Sequence, residues 1–289
     1  MFEKILVGTD FSAPSEAVLS CLPQLMRAGV REVILGHVVY VANTPGLEEL
    51  LEQEARPLLE GMAQKLRNTG LQVTTDIRMG IPAVKLAEMA EAHDVAAIVV
   101  GSHGRSMLGR VLLGSVSSGV LHQTMRPVLI IPVKICETAT GTTCEVACAE
   151  VFDKVLFPTD FSAGSEHAFR ALTGIVARTH SACRLLHVQD EARMRYMKER
   201  LPEFNKKDAA RLDEMSAAVT KAGASAVETE LTLGVPTRAI VSEAARGGVS
   251  LILMSTHGRG ALAEVMVGSV AMNVARLAPV PVLFVPSPC

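Results

Sequence analysis

The chain has 289 residues, about twice an ordinary domain length, and is 49% apolar but only 3% aromatic, with no Trp. That aliphatic balance excludes a disordered chain, a collagen-like chain and a small disulfide scaffold. With 28 Lys and Arg against 30 Asp and Glu, the net charge of −2 leaves no footprint for nucleic acid or an anionic membrane. The mean hydropathy of +0.31 is explained by parallel strands buried on both faces. No apolar run reaches the length of a transmembrane helix. The N-terminal residues pass directly into Ile5-Leu6-Val7, without a charged, apolar and cleavable leader, and the six Cys form no evident framework. The expectation is a cytoplasmic protein with reduced thiols.

In chain order, β-rich apolar runs lie near 4–8, 32–39, 72–77, 95–100 and 127–131. Helical stretches lie between them, near 13–28, 47–69, 82–92 and 115–124. Ser12 is a candidate N-cap for the first helix, with Pro14 and Glu16 in its first turn. Pro57 predicts a kink or a split in the second. Alternation of this kind predicts an α/β fold, a parallel sheet with helices on both faces. Strand order does not follow from periodicity.

The pattern then repeats. Residues 4–16 (KILVGTDFSAPSE) recur at 154–166 as KVLFPTDFSAGSE, an offset of 150, and His37-Val38 recurs as His187-Val188. Gly80-Ile81-Pro82 matches Gly234-Val235-Pro236, and Gly114-Ser115-Val116 matches Gly268-Ser269-Val270, both at an offset of 154. The chain is therefore a tandem duplication with a net gain of four residues in the second half. The expected division is a first domain at 1–134, a Thr-rich aperiodic linker at 135–150 and a second domain at 151–289.

In open α/β sheets, ligands bind outside the carboxyl ends of the strands. Gly8-Thr9-Asp10 ends the first strand, and His37-Val38 ends the second. After Val100, at the end of the fourth, come Gly101-Ser102-His103-Gly104, nine residues, and Gly114-Ser115-Val116-Ser117. Glycines there let the backbone approach a ligand, and a helix starting at Ser115 offers free amides with a favourable dipole for an anion. Arg105 and Arg110 add positive charge, and the segment reads as a phosphate cradle.

This combination is similar to the universal stress protein family, and the similarity covers nearly all of both halves. It implies two tandem Rossmann-like domains, each a five-stranded parallel sheet of order 3-2-1-4-5. It also implies an adenine nucleotide (ATP, ADP or AMP) with Mg2+. By the same resemblance, adenine and ribose lie near Gly8, Thr9, Asp10 and Val38. The phosphates lie against Gly101, Gly104, Gly114, Ser115, Val116 and Ser117. Family domains commonly pair through the last strand, here 127–132 and 280–285, so the halves would form an intramolecular pseudo-dimer; a homodimer stays open.

The second half departs from the pattern. Ser255 replaces Gly101, Ala271 replaces Ser117 and Glu264 replaces Arg110, while Pro158, Thr159, Asp160, Val188, Gly258, Gly268, Ser269 and Val270 still match the pattern. Weaker nucleotide binding is expected there, or a preference for a less charged nucleotide. His37 and His187 read as hydrogen-bonded structural residues; His103 and His257, in the glycine loops, are closer to any ligand but have no sequence-evident carboxylate partner. The spacing of Cys136, Cys144 and Cys148 is not that of a zinc site, and the cysteines read as incidental thiols. In 189–222 basic residues alternate with acids that include Asp208 and Asp213, the pattern of a solvated helix face or a partner surface. Two functional classes follow. One is a nucleotide-dependent stress or signalling module with an unknown protein partner. The other is an enzyme, a slow ATPase or a nucleotide-activating transferase. No nucleophile–base pair marks an enzyme.

Overall fold

The computed structural model describes residues 2–41, 46–102, 113–138, 141–146, 150–196, 198–246, 248–258 and 267–287. The chain divides into two compact units, residues 1–149 and 150–289. No described helix is long and apolar enough to cross a membrane.

Unit 1 begins with β1 (Lys4–Thr9), α1 (Ala13–Leu19), α2 (Leu22–Arg27), β2 (Glu32–Val39) and α3 (Leu47–Arg67). It continues with β3 (Gln72–Met79), α4 (Pro82–Ala92), β4 (Ala97–Gly101), α5 (Ser115–Gln123) and β5 (Val128–Ile131). Its strands run parallel in the order β3-β2-β1-β4-β5. The central strands bury Ile5, Leu6, Val7, Ile98 and Val99 almost completely, as a sheet covered on both faces requires.

Three local expectations are corrected. The first helical stretch is two helices, because Pro23 has no N–H to continue the ladder. Ser20 and Cys21 instead reach back only three residues, to Ala17 and Val18 (3.1 and 3.0 Å). The residue equivalent to Pro23 in the second half is Thr173, and the corresponding helix is unbroken. Conversely, α3 runs through Pro57 without a split. Pro57 and Gln53, whose carbonyl loses its partner, are both exposed, so water can satisfy the carbonyl.

The third correction concerns the supposed linker. Residues 133–138 and 141–146 form an antiparallel ribbon, β6 (Val133–Thr138) with β7 (Gly141–Val146), lying against α1. Its Thr and Val content, read as aperiodic, favours extended backbone once a surface is available to pack on. Ser102 Oγ accepts a hydrogen bond from Val133 N (3.0 Å), fixing the start of the ribbon. Cys21, buried at the α1–α2 break, is disulfide-bonded, so it is not an incidental thiol. Cys183 is buried in a strand, and desolvation pushes its thiol up to about 12. Cys148 and Cys289 lie outside the described residues.

Unit 2 repeats the plan with β8 (Lys154–Thr159), α6 (Ala163–Thr179), β9 (Ala182–Asp190), α7 (Glu191–Met194) and α8 (Leu201–Lys221). Then come β10 (Val227–Gly234), α9 (Pro236–Arg246), β11 (Leu251–Ser255), α10 (Ser269–Leu277) and β12 (Val282–Val285). The order is β10-β9-β8-β11-β12, again parallel. The added residues fall in α7 and the turn leading to α8. One supposed member of the solvated face of α8 is not solvated: Asp208 is 8% exposed and accepts a hydrogen bond from Gln189 Nε2 (2.8 Å). Its carboxylate also lies 3.5 Å from His187 Nε2.

Candidate functional site

The β1–α1 turn is built from the sequence Thr9-Asp10-Phe11-Ser12. Asp10 Oδ1 accepts from the Ser12 amide (3.1 Å) and the Ser12 hydroxyl. Ser12 in turn caps α1, as its position predicts, accepting from Ser15 N. Thr9 Oγ1 accepts from Phe11 N (3.2 Å) and exchanges a hydrogen bond with Ser15 Oγ (3.0 Å). These bonds hold Phe11 at φ 60, uncommon for a residue with a side chain. Its ring lies 4.2 Å from that of His37, whose Nδ1 is 2.9 Å from the Thr9 carbonyl. The expectation of a hydrogen-bonded His37 therefore holds, and His187 does the same with the Thr159 carbonyl (2.7 Å).

The far side of the crevice is pinned as firmly. Ser102 N donates to Ile131 O, and Gly114 N donates to Ser102 O, both at 2.8 Å. Ser117 Oγ donates to the Gly101 carbonyl (2.5 Å). Gly114 is the N-cap of α5 and has no side chain to cap it, so the first amides of the helix face the crevice with their dipole.

Between these two walls lies a cavity of about 220 Å³. Gly8, Thr9 and Asp10 line it from β1 and the turn, and Val38 from β2. Val100 and Gly101 line it from β4, and Gly114, Ser115, Val116 and Ser117 from the start of α5. Gly104, Arg105, Arg110 and His103 lie outside the described residues. Four further lining residues, Ser15, Gly36, Pro82 and Leu86, were not singled out from the sequence. Two had left a signal: Ser15 sits inside the repeated 4–16 segment, and Pro82 inside the repeated Gly-x-Pro.

The cavity is apolar along Val38, Pro82, Leu86 and Val100 and polar at Thr9, Asp10, Ser115 and Ser117. A flat, largely apolar group with a polar or anionic extension suits such walls. At its base a Cβ at Gly8 would stand 3.2 Å from Leu86 Cδ1, so a side chain there would press on the flexible end of its neighbour. Among the described residues no group of three or more His, Cys, Asp or Glu is placed to hold a metal ion.

In unit 2, Asp160 repeats the turn, accepting from the Ser162 amide and hydroxyl (3.0 and 2.6 Å). Gly258 approaches it so closely that a Cβ would lie 2.6 Å from Asp160 Oδ2. Gly268 caps α10, which begins at Ser269 and Val270, while Thr159 and Val188 end β8 and approach the end of β9. Ser255 Oγ, at the place of Gly101, donates to the His257 carbonyl (2.6 Å), and Ala271 is buried. Glu264 lies outside the described residues, so the charge contrast with Arg110 has no structural counterpart here.

Fold and site together define a tandem Rossmann-like α/β protein with a cavity at the carboxyl ends of the strands of its first unit. The chain belongs to the universal stress protein family, whose profile matches residues 1–132 and 152–286. A universal stress protein of Methanocaldococcus jannaschii is 31% identical over 154 residues, 45% of this chain and 95% of that one. One from Mycolicibacterium smegmatis is 28% identical over 97% of this chain and 96% of its own, so it too has the length of the tandem. A solved universal stress protein from Archaeoglobus fulgidus, 25% identical, covers 100% of both chains with a TM-score of 0.78.

Proposed function

We propose that unit 1 binds an adenine nucleotide and that the protein acts as a nucleotide-dependent regulatory module in the stress response, its output being a conformation read by a protein partner. The observation that carries this reading is the cavity itself. An apolar slot between Val38, Leu86 and Val100 opens onto Asp10 on one side and the uncapped start of α5 on the other. A purine fits the slot, a ribose hydroxyl can donate to the Asp10 carboxylate, and phosphates suit the amides of Ser115, Val116 and Ser117. Family membership supports the same assignment. Mg2+ would arrive with the phosphates, because the described residues offer it no protein cage. Gly104 and Arg105 complete the phosphate side of the proposed site.

For unit 2 the reading is weaker binding, through Thr159, Asp160, Val188, Gly258, Gly268, Ser269 and Val270. The hydroxyl of Ser255 and the loss of one at Ala271 support this. The test is calorimetric titration of the full chain with ATP, beside the Gly114→Val variant. Gly114 has φ −59, open to any residue, so valine leaves the backbone intact while blocking the approach to α5. The expected result is an affinity at least tenfold lower, and unchanged affinity overturns the assignment. ATP that stays bound through purification without turnover supports a module; steady hydrolysis abolished by Gly114→Val would make the protein an ATPase.

A further inference from the structure

Cys21 sits at the break between α1 and α2, is fully buried and is disulfide-bonded. Cys144 and Cys183 are free, so its partner is Cys136, Cys148 or Cys289. The helix that leads into Cys21, α1, contacts β1 and β4 of the sheet and both strands of the β6–β7 ribbon. Cys136 belongs to β6, and Cys148 follows the end of β7 by two residues. The repeat does not copy this feature: Ala171 stands at the place of Cys21.

Both parts that such a bond would join bear on the unit 1 cavity. On the helix side, Ser15 of α1 lines the cavity and exchanges a hydrogen bond with Thr9 Oγ1 (3.0 Å). On the ribbon side, Val133 N donates to Ser102 Oγ (3.0 Å), and the Ser102 carbonyl accepts from Gly114 N (2.8 Å). Ser102 is buried, and Gly114 lines the cavity as the N-cap of α5. One buried serine thus ties the ribbon to the side of the cavity where α5 begins. A disulfide from the helix break to the ribbon closes a loop spanning most of unit 1, and the constraint grows with loop length.

We infer that Cys21 is bonded to Cys136 or Cys148 and that this bond is a redox latch on the unit 1 cavity. Closed, it holds the ribbon on α1 and with it Ser102 and the start of α5. Opened, the ribbon loosens and the cavity holds its ligand less tightly, because preorganisation is lost. A dithiol opens the latch by exchange: its thiolate attacks the partner sulfur, and buried Cys21 is the leaving thiol. The second thiol of the reductant then resolves the mixed disulfide. Two electrons and two protons end on the two cysteines, and the dithiol becomes a disulfide. The identity of the ligand rests on the proposed function, but the latch does not.

The test uses the full chain, oxidised with glutathione disulfide or reduced with dithiothreitol, beside Cys21→Ala, which copies Ala171. Peptide mapping of the oxidised chain by mass spectrometry is expected to join Cys21 to Cys136 or Cys148. A link to Cys289, or six free thiols, overturns the inference. On reduction, hydrogen exchange in 133–138 and 141–146 is expected to rise in wild type and to stay unchanged in Cys21→Ala. Unchanged exchange in wild type overturns the latch. The tighter ATP site is expected to weaken by about fivefold on reduction of wild type, read by calorimetry, and not at all in Cys21→Ala. Equal affinity in both redox states overturns the coupling to the cavity. Where Cys21→Ala fails to fold, oxidised and reduced wild type carry the comparison alone. Failure to bind ATP, ADP or AMP in either state overturns the nucleotide reading, and the exchange data then decide the latch by themselves.

Discussion

Single side chains hold the β1–α1 turn and the polar parts of the core, and their cost or benefit can be read one at a time. Asp76 on β3 is buried enough for desolvation to oppose its charge, yet hydrogen bonds from Arg78 and His93 outweigh that and hold its carboxyl below the usual range. A carboxylate depressed in the folded state stabilises at neutral pH, and that contribution is lost as pH falls through the folded value. Asp76→Asn should therefore cost about 1 kcal/mol at pH 7 and progressively less below about pH 4, measured by urea unfolding at several pH values. An equal cost at every pH would mean that the charge is not what matters.

Asp208 is a different case. By the burial pattern of α8 it occupies the place of Ala55 on α3, and Gln189 that of Val39, so a polar contact in unit 2 replaces an apolar one in unit 1. Asp208→Ala removes the acceptor from a Gln189 amide that is 3% exposed, at an expected cost of about 2 kcal/mol. Restoring the unit 1 arrangement with Gln189→Val in the same chain should recover most of that loss in a double-mutant cycle.

At the scale of elements, close approach matters more than propensity. Helices α4 and α5 touch where Gly119 meets Ala83, and a Cβ on Gly119 would lie 2.6 Å from that of Ala83. Gly119→Ala should push the helices apart at a cost of about 1–3 kcal/mol. Because α5 carries Ser115–Ser117 and α4 carries Pro82 and Leu86, the same variant should weaken ATP binding without touching the cavity. Thermal melting and titration together check this; a loss of stability with unchanged affinity would show that the two helices set the site independently. The break between α1 and α2 belongs to this scale too, since it follows from Pro23 and vanishes where the repeat has Thr173. So does the ribbon, whose strands pair with each other and rest on α1.

At the scale of the whole chain, duplication has repeated the fold in two units. A ligand that binds only the native form of unit 1 stabilises it by mass action, by about 2.7 kcal/mol at a hundredfold excess over Kd. Hydrogen exchange read by mass spectrometry should then show ATP-dependent protection in residues 4–19 and 113–123. The matching segments of unit 2, 154–169 and 267–277, should change less. Equal protection in both would contradict weaker binding by unit 2.

The sequence by itself determined the tandem repeat, the alternation of strand and helix, the Ser12 cap and most of the cavity wall. Those are local properties: periodicity reports which residues are buried, and Gly, Asp and Ser at strand ends report where a backbone is left open to a ligand. Only the tertiary structure decided the rest. Gly36 and Leu86 are far apart in the chain and meet because β2 lies beside β1 under α4, and nothing in either segment alone announces that contact. Asp208 looked solvated because its neighbours on α8 are charged; its burial depends on the helix rotation set by Leu212 and Val219. The ribbon needed α1 as a surface before its Thr-rich segment had reason to extend. A near-neutral chain of twice the ordinary length thus encodes its repeat locally, while the wall of its cavity is assembled only by strand pairing and helix packing.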